Sequence, residues 1–345
     1  MELSKHDTQM TKGLAIVFMV LLHLFCRVDN LPYECIKIGG VPLVYYIGLI
    51  SDCCVSIYCF CSGYALEIIN QKITDSKQYY INRIKSLFKL LINYWIILFV
   101  FSFIGLITKN DSIPISFTHF VKHFFLLEKS YNGAWWFLLT YILLVLISKP
   151  VYLIVEKLNP YILLLISTGI YFIAYIQRFK NVVDFNNDLA NWIIMQMSLL
   201  GTSFLPFVFG MIFYKYELFT KTRNLLNKNF NNMKLAVIGV AIFLVLLIGH
   251  GIVPSVFVAP FTGLVIIVIF NVVKKGSLIE KTFEFMGEHS TNIWLTHMFF
   301  YSTLFKDLVF IAKYPVLIFA FMMLLTICCS YIINIVYKPI VKFIK

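Results

Sequence analysis

Ten stretches rich in apolar residues follow one another along the chain, at roughly 14–30, 42–69, 88–108, 134–156, 159–177, 191–214, 234–250, 254–273, 289–311 and 314–337. A helix that crosses a bilayer needs about 20 mostly apolar residues. The succession therefore predicts an all-α integral membrane protein, a bundle of about ten transmembrane helices. Composition agrees: 60% of the 345 residues are hydrophobic and 13% charged, with a mean hydropathy of +0.84. Both fractions lie far outside those of ordinary soluble domains. Lys5 and Lys12 precede the first segment, but no small-residue cleavage site follows before Arg27 and Asp29, so that segment is expected to stay as a helix.

The formal net charge of +12 comes from cations placed between the apolar segments. With a cytoplasmic N-terminus, the inner flanks hold 20 of the 29 Lys and Arg, and the outer flanks hold 9, among them Arg27, Lys129 and Arg178. This bias predicts both termini cytoplasmic and an even number of crossings. It also accounts for the positive charge through topology, so no nucleic-acid partner is expected. No long soluble stretch or internal repeat interrupts the plan, and residues 1–345 are expected to form one membrane-embedded domain with no separate soluble domain. The eight cysteines lack metal spacing and a disulfide framework; Cys53, Cys54, Cys328 and Cys329 read as small buried apolar residues.

Chemistry must then reside in the bundle or at its mouths, and an ionisable group inside a span is a functional candidate. His23 lies eleven residues after Lys12, which places both side chains near one helix face, about 16 Å apart along the axis. Lys12 falls at the cytoplasmic mouth and His23 about halfway across. Alone, such a histidine serves equally well as a hydrogen bonder between helices. Ser62 and Gly63 make either a packing notch or a ligand contact. Asp52 is a carboxylate in the same segment that could orient His23 or hydrogen-bond in an outer cavity, and His297 in "EHSTNIWLTHMFF" is a further buried candidate. Arg83, Lys85 and Lys89 suit either a topology signal or the phosphates of a ligand. Trp135 and Trp136 read mainly as interface anchors. His119 and His123 share helical spacing but lack a third ligand, so an interfacial helix is expected and no metal.

In order, "KGLAIVFMVLLH", "FCSGYAL", "NRIKSLFKLLINYW", "WWFLLTYILL" and "HSTNIWLTHMFF" resemble the motifs of the integral-membrane acyltransferase 3 family, over nearly the whole chain. The first matches the family's basic residue, ten residues and a histidine, with Lys12 where Arg is usual. Asn93 stands where the family often has proline. The resemblance implies an O-acyltransferase that takes acetyl from acetyl-CoA, used as cosubstrate, to a hydroxyl of a capsular, cell-wall or other surface polysaccharide or its lipid-linked precursor.

On that resemblance His23 is the catalytic base, with a covalent acyl-histidine as an alternative route. Lys12, Arg83, Lys85 and Lys89 would bind the coenzyme, and Asp52, Ser62, Trp136 and His297 would orient groups or shape the pocket. The implied partners are acetyl-CoA, the glycan acceptor and the lipid bilayer, in a multi-pass protein of a bacterial plasma membrane. The competing class is a non-enzymatic translocator of a lipid-linked sugar or small solute, with His23, Asp52 and His297 lining its path.

Overall fold

The computed structural model describes residues 2–109, 113, 116–253 and 255–344. Residues 110–112, 114 and 115 of the loop before His119, Pro254 at the head of the eighth expected segment, and Lys345 in the charge count lie outside the described residues.

Helix α1 (Lys5–Phe25) opens on a reciprocal cap. The Asp7 N–H donates to Ser4 Oγ at 3.1 Å, and the Ser4 N–H donates to the Asp7 carboxylate at 2.9 Å. This satisfies backbone donors that a helix start leaves free. α1 stops at Phe25, ahead of Arg27, Asp29 and Asn30, the last with φ of 51°. A two-stranded hairpin, β1 (Lys37–Ile38) with β2 (Val41–Pro42), turns through Gly39 and Gly40, both at positive φ. The second expected segment is α2 (Leu43–Ile50) and α3 (Cys54–Lys72), joined by a tighter 3₁₀ turn at Ser51–Cys53.

The chain continues through α4 (Ser76–Thr108), the short α5 (Phe117–Phe124), a 3₁₀ turn at Gly133–Trp135 and α6 (Trp136–Lys157). Then come α7 (Pro160–Lys180), α8 (Asp188–Lys215), the polar α9 (Leu218–Asn229), α10 (Asn232–Ile252) and α11 (Ser255–Val272). The last three are α12 (Ser277–Tyr301), α13 (Lys306–Phe310) and α14 (Pro315–Lys342). Among the described residues eight helices are long and apolar enough to cross a membrane, α2 and α3 counting as one. The other two expected segments correspond to α11, whose apolar helix is shorter, and α12.

The ninth expected segment, 289–311, is displaced. α12 begins at Ser277 and ends at Tyr301, and α13 is separate. Hydropathy marks where a helix meets lipid, whereas Glu280, Lys281 and Glu284 are good helix formers that carry the same helix beyond the apolar stretch. The cysteines also divide. Cys53, Cys54, Cys59 and Cys61 are buried, but Cys328 is exposed and Cys329 half-buried, because α14 lies on the periphery with one side unpacked.

Two glycine crossings set the middle of the bundle. A Cβ on Gly13 would stand 1.9 Å from the Phe283 carbonyl oxygen, and one on Gly287 would stand 2.1 Å from that of Gln9. Only the missing side chains let α1 and α12 approach so closely. Because residues 9–13 meet 283–287 and residue 23 meets 297, the two helices run parallel. α3 and α8 meet the same way: a Cβ on Gly63 would lie 1.9 Å from Phe207 O, and one on Gly210 would lie 2.1 Å from Phe60 O.

Candidate active site

The parallel pairing of α1 and α12 brings His23 and His297 together, edge to face, with ring centroids 4.8 Å apart. His23 Nδ1 lies 2.8 Å from the Met19 carbonyl oxygen. A carbonyl can only accept, so Nδ1 carries a proton, and in the neutral ring Nε2 carries the lone pair. His297 has the same arrangement, with Nδ1 at 2.8 Å from Trp294 O, and its Nε2 is buried with no hydrogen-bond partner. Two lone-pair nitrogens on adjacent neutral imidazoles can accept a proton or attack an electrophile. Tyr301 flanks both rings at 5.9 and 6.5 Å, and the Arg27 guanidinium lies 5.7 Å from the Tyr301 ring. Neither Tyr301 nor Arg27 was singled out as a site residue from sequence, although Tyr301 stands four residues beyond His297, the spacing that places side chains on one helix face; Arg27 lies just past the end of α1.

His23, expected about halfway along its crossing, instead stands close to the end of its helix, as does His297. α1 continues only two residues past His23, and His297 is twenty residues from the start of α12 and four from its end. Both rings therefore sit near the same end of their helices rather than at mid-length.

A cavity of about 200 Å³ lies along the same two helices, lined by Lys12, Tyr58, Ser62, Arg83, Ser290 and Trp294 among others. Ser290, Trp294 and His297 follow at i, i+4 and i+7, one face of α12, as Lys12 and His23 share one face of α1. The cavity and the imidazole pair thus lie along a single seam. Trp294, three residues before His297, lines the cavity and donates its indole N–H to Ala134 O at 3.1 Å. Among the described residues neither Lys12 nor Arg83 has a carboxylate within ion-pair distance, and Arg83 Nε is buried without a hydrogen-bond partner. The Ser-Gly pair divides: Gly63 makes the helix crossing and Ser62 lines the cavity.

The basic cluster of α4 is split by helical phase. Arg83 shares its face with Ser86, Leu87 and Leu90 on the cavity, whereas Lys85 is exposed and Lys89 half-buried, and neither lines it. Asp52 lies on the 3₁₀ turn, within electrostatic reach of Cys26, Tyr171 and Arg178, while the His23 ring is oriented by the Met19 carbonyl. Arg178 had been counted only as an outer-flank cation. Its guanidinium packs 4.8 Å from the Trp136 ring and donates to Thr202 Oγ1 at 3.2 Å. Trp135 is a wedge in the core and not an interface anchor. It is 3% exposed, and its indole N–H donates to Leu295 O at 2.9 Å.

The loop histidines take separate partners. His119 Nδ1 donates to the Glu128 carboxylate at 2.8 Å, and Ser130 Oγ donates to the same group at 2.7 Å. His123 is fully buried, stacked on Tyr131, with Nε2 at 3.0 Å from Ser130 Oγ. Burial pushes the His123 pKa down to about 4, against the charge of Glu128. For Glu128 burial acts upward, but the Ser130 and His119 hydrogen bonds prevail and hold it below its ordinary value. Tyr94 and Trp95 donate to the carbonyls of His123 and Phe124, hanging α5 on α4.

The features assembled above define a polytopic helical membrane protein with a half-buried and a buried imidazole in contact and a cation-lined cavity on one seam. A family model described as an acyltransferase domain, that of the acyltransferase 3 family, matches residues 9–335, and the chain belongs to this family. Neither the curated proteins nor the solved structures contain a match to the chain.

Proposed function

We propose that the protein is an O-acetyltransferase of the cell membrane, transferring acetyl from acetyl-CoA to a hydroxyl of a capsular, cell-wall or other surface polysaccharide or of its lipid-linked precursor. The observation that carries this reading is the seam between α1 and α12, with Lys12 and Arg83 on a cavity at one point and His23 beside His297 at another. Uncompensated cations on a cavity favour an anionic ligand, and a guanidinium with an ammonium suits phosphate. At about 200 Å³ the cavity is smaller than sites of about 300–1,000 Å³ that enclose a whole ligand. The acetyl-bearing thiol arm would therefore enter it, leaving the nucleotide at the mouth by Arg83.

The chemistry follows from the free lone pair. His23 Nε2 removes the proton from the acceptor hydroxyl as its oxygen attacks the thioester carbonyl carbon. The carbon–sulfur bond breaks, the acetyl ester forms, and the coenzyme thiolate recovers the proton from the imidazolium. His297 holds the base in place through the edge-to-face contact. In the covalent alternative, Nε2 itself takes the acetyl group and passes it to the hydroxyl.

One domain with ten crossings and both termini cytoplasmic, in a bacterial plasma membrane, completes the reading. Helices that run the same way lie an even number of crossings apart. α12 is parallel to α1 only when α11 counts as a crossing, and this parity supports ten. Purified protein in liposomes, given labelled acetyl-CoA and the host's de-O-acetylated surface polysaccharide, should transfer label to the polymer. Label that stays on the coenzyme in the wild type would overturn the proposal.

A further inference from the structure

The end of the bundle that holds the imidazole pair also carries a second cleft, of about 400 Å³, in the size range of about 300–1,000 Å³ typical of small-molecule sites. Its lining includes Trp135, Trp136, Trp192, Glu128, Lys129 and Gln196, and so three of the chain's five tryptophans. Trp136 is the first residue of α6 and Trp192 the fifth of α8, and both line the cleft with Glu128 and Lys129 of the loop before α6.

The polar groups here are fixed in advance. His119 and Ser130 donate to the Glu128 carboxylate, and the Arg178 guanidinium, which donates to Thr202, packs on the Trp136 ring. One carboxylate and one ammonium leave the lining without net charge, so it does not select a strongly charged ligand. It offers flat apolar faces edged by an acceptor, a donor and an amide that is both. A pyranose ring has the complementary form, with C–H bonds on its faces and hydroxyls at its rim. The cleft also shares a wall with the candidate catalytic pair: Trp135 donates to Leu295 O and packs 5.6 Å from Phe299, residues that flank His297 on α12.

We propose that this cleft is the acceptor subsite, taking one sugar ring of a surface glycan against Trp192, with Glu128, Gln196 and Lys129 hydrogen-bonding its hydroxyls. The inference rests on the acetyltransferase reading and adds the place where the acceptor is held.

Two readouts on the full-length protein test it: O-acetyl content of the host's surface polysaccharide by NMR after complementation, and the rise in thermal midpoint of the purified protein on adding acetyl-CoA. Trp192→Ala should lower O-acetyl content about fivefold or more, and Trp192→Phe, which keeps an aromatic face, should restore most of it. Both variants should keep the acetyl-CoA shift of the wild type. Unchanged O-acetylation in Trp192→Ala would make the cleft a membrane-interface anchor and overturn the proposal. So would loss of the acetyl-CoA shift in both variants, which marks Trp192 as structural. A wild-type protein that acetyl-CoA does not stabilise would instead overturn the donor reading, a failure visible before any variant is made.

Discussion

The Nδ1–H of His23 and that of His297 each point back to a carbonyl of their own helix, Met19 and Trp294, which leaves the two Nε2 lone pairs for chemistry. The rings touch edge to face at 4.8 Å across the α1–α12 seam. His23→Ala should therefore reduce acetyl transfer by about 10²–10⁴-fold, the usual loss on removing a general base. His23→Gln should fall as far, since an amide cannot take the proton. Transfer of label from acetyl-CoA in proteoliposomes checks both variants, and near-normal turnover would remove His23 from the mechanism.

Helical phase makes a second demand. Lys12→Gln and Arg83→Gln, which strip charge from the cavity, should each raise the KM for acetyl-CoA about tenfold, equivalent to about 1.4 kcal/mol. Lys85→Gln and Lys89→Gln, which do not line the cavity, should stay within about twofold. Equal effects at all four positions would point to a diffuse surface potential instead of a bound phosphate.

The glycine crossing should tolerate no side chain. Gly13→Ala places a methyl group 1.9 Å from a backbone oxygen. Backbone shifts of that kind cost about 1–3 kcal/mol. The thermal midpoint in detergent should drop by several degrees. Gly169→Ala is the control, because nothing lies within 4 Å of a Cβ there, and in a helix it should be neutral or raise stability by about 0.5–1 kcal/mol.

Acid should loosen the loop that hangs on α4. The folded loop favours neutral His123, whose pKa is pushed down to about 4 by burial. Its contribution is thus complete above the ordinary histidine value of about 6.5 and is lost as pH falls from there towards about 4. Glu128, held below its ordinary value, acts in the same direction at still lower pH. Hydrogen-exchange protection factors over residues 116–131, each taken against the intrinsic rate at the same pH, should fall between about pH 6.5 and 5 in the wild type, and His123→Gln should flatten that dependence.

Much of the fold was legible because apolar length alone separates the segments, and α6, α7, α8, α10 and α14 fall where hydropathy puts them, whereas α4 begins twelve residues before its apolar stretch. The ends of α1 and α12 were not, since helix formers such as Glu280 and Lys281 prolong a helix without registering as lipid-facing. The division of Arg83 from Lys85 and Lys89 was present in their spacing and needed only a cavity to give it direction. What no local pattern contained was the partnership of His23 with His297. Apolar helices look alike to hydropathy, and which two pack together is decided by shape at glycines far away along the chain. Arg178 was hidden for a related reason: at a helix end it reads as a topology cation until Trp136 and Thr202 are brought around it.

Gly13 lies ten residues before His23, and Gly287 ten before His297, so the close crossing and the ring contact are separated by equal arms of about 15 Å on two parallel rods. Such a pair behaves like calipers, pivoted at the glycines and measuring at the imidazoles. A swing of about 5° at the pivot opens the tips by about 1.3 Å over arms of this length. A ligand that wedges or draws together the cavity between pivot and tip can therefore set the gap between the rings without touching either of them.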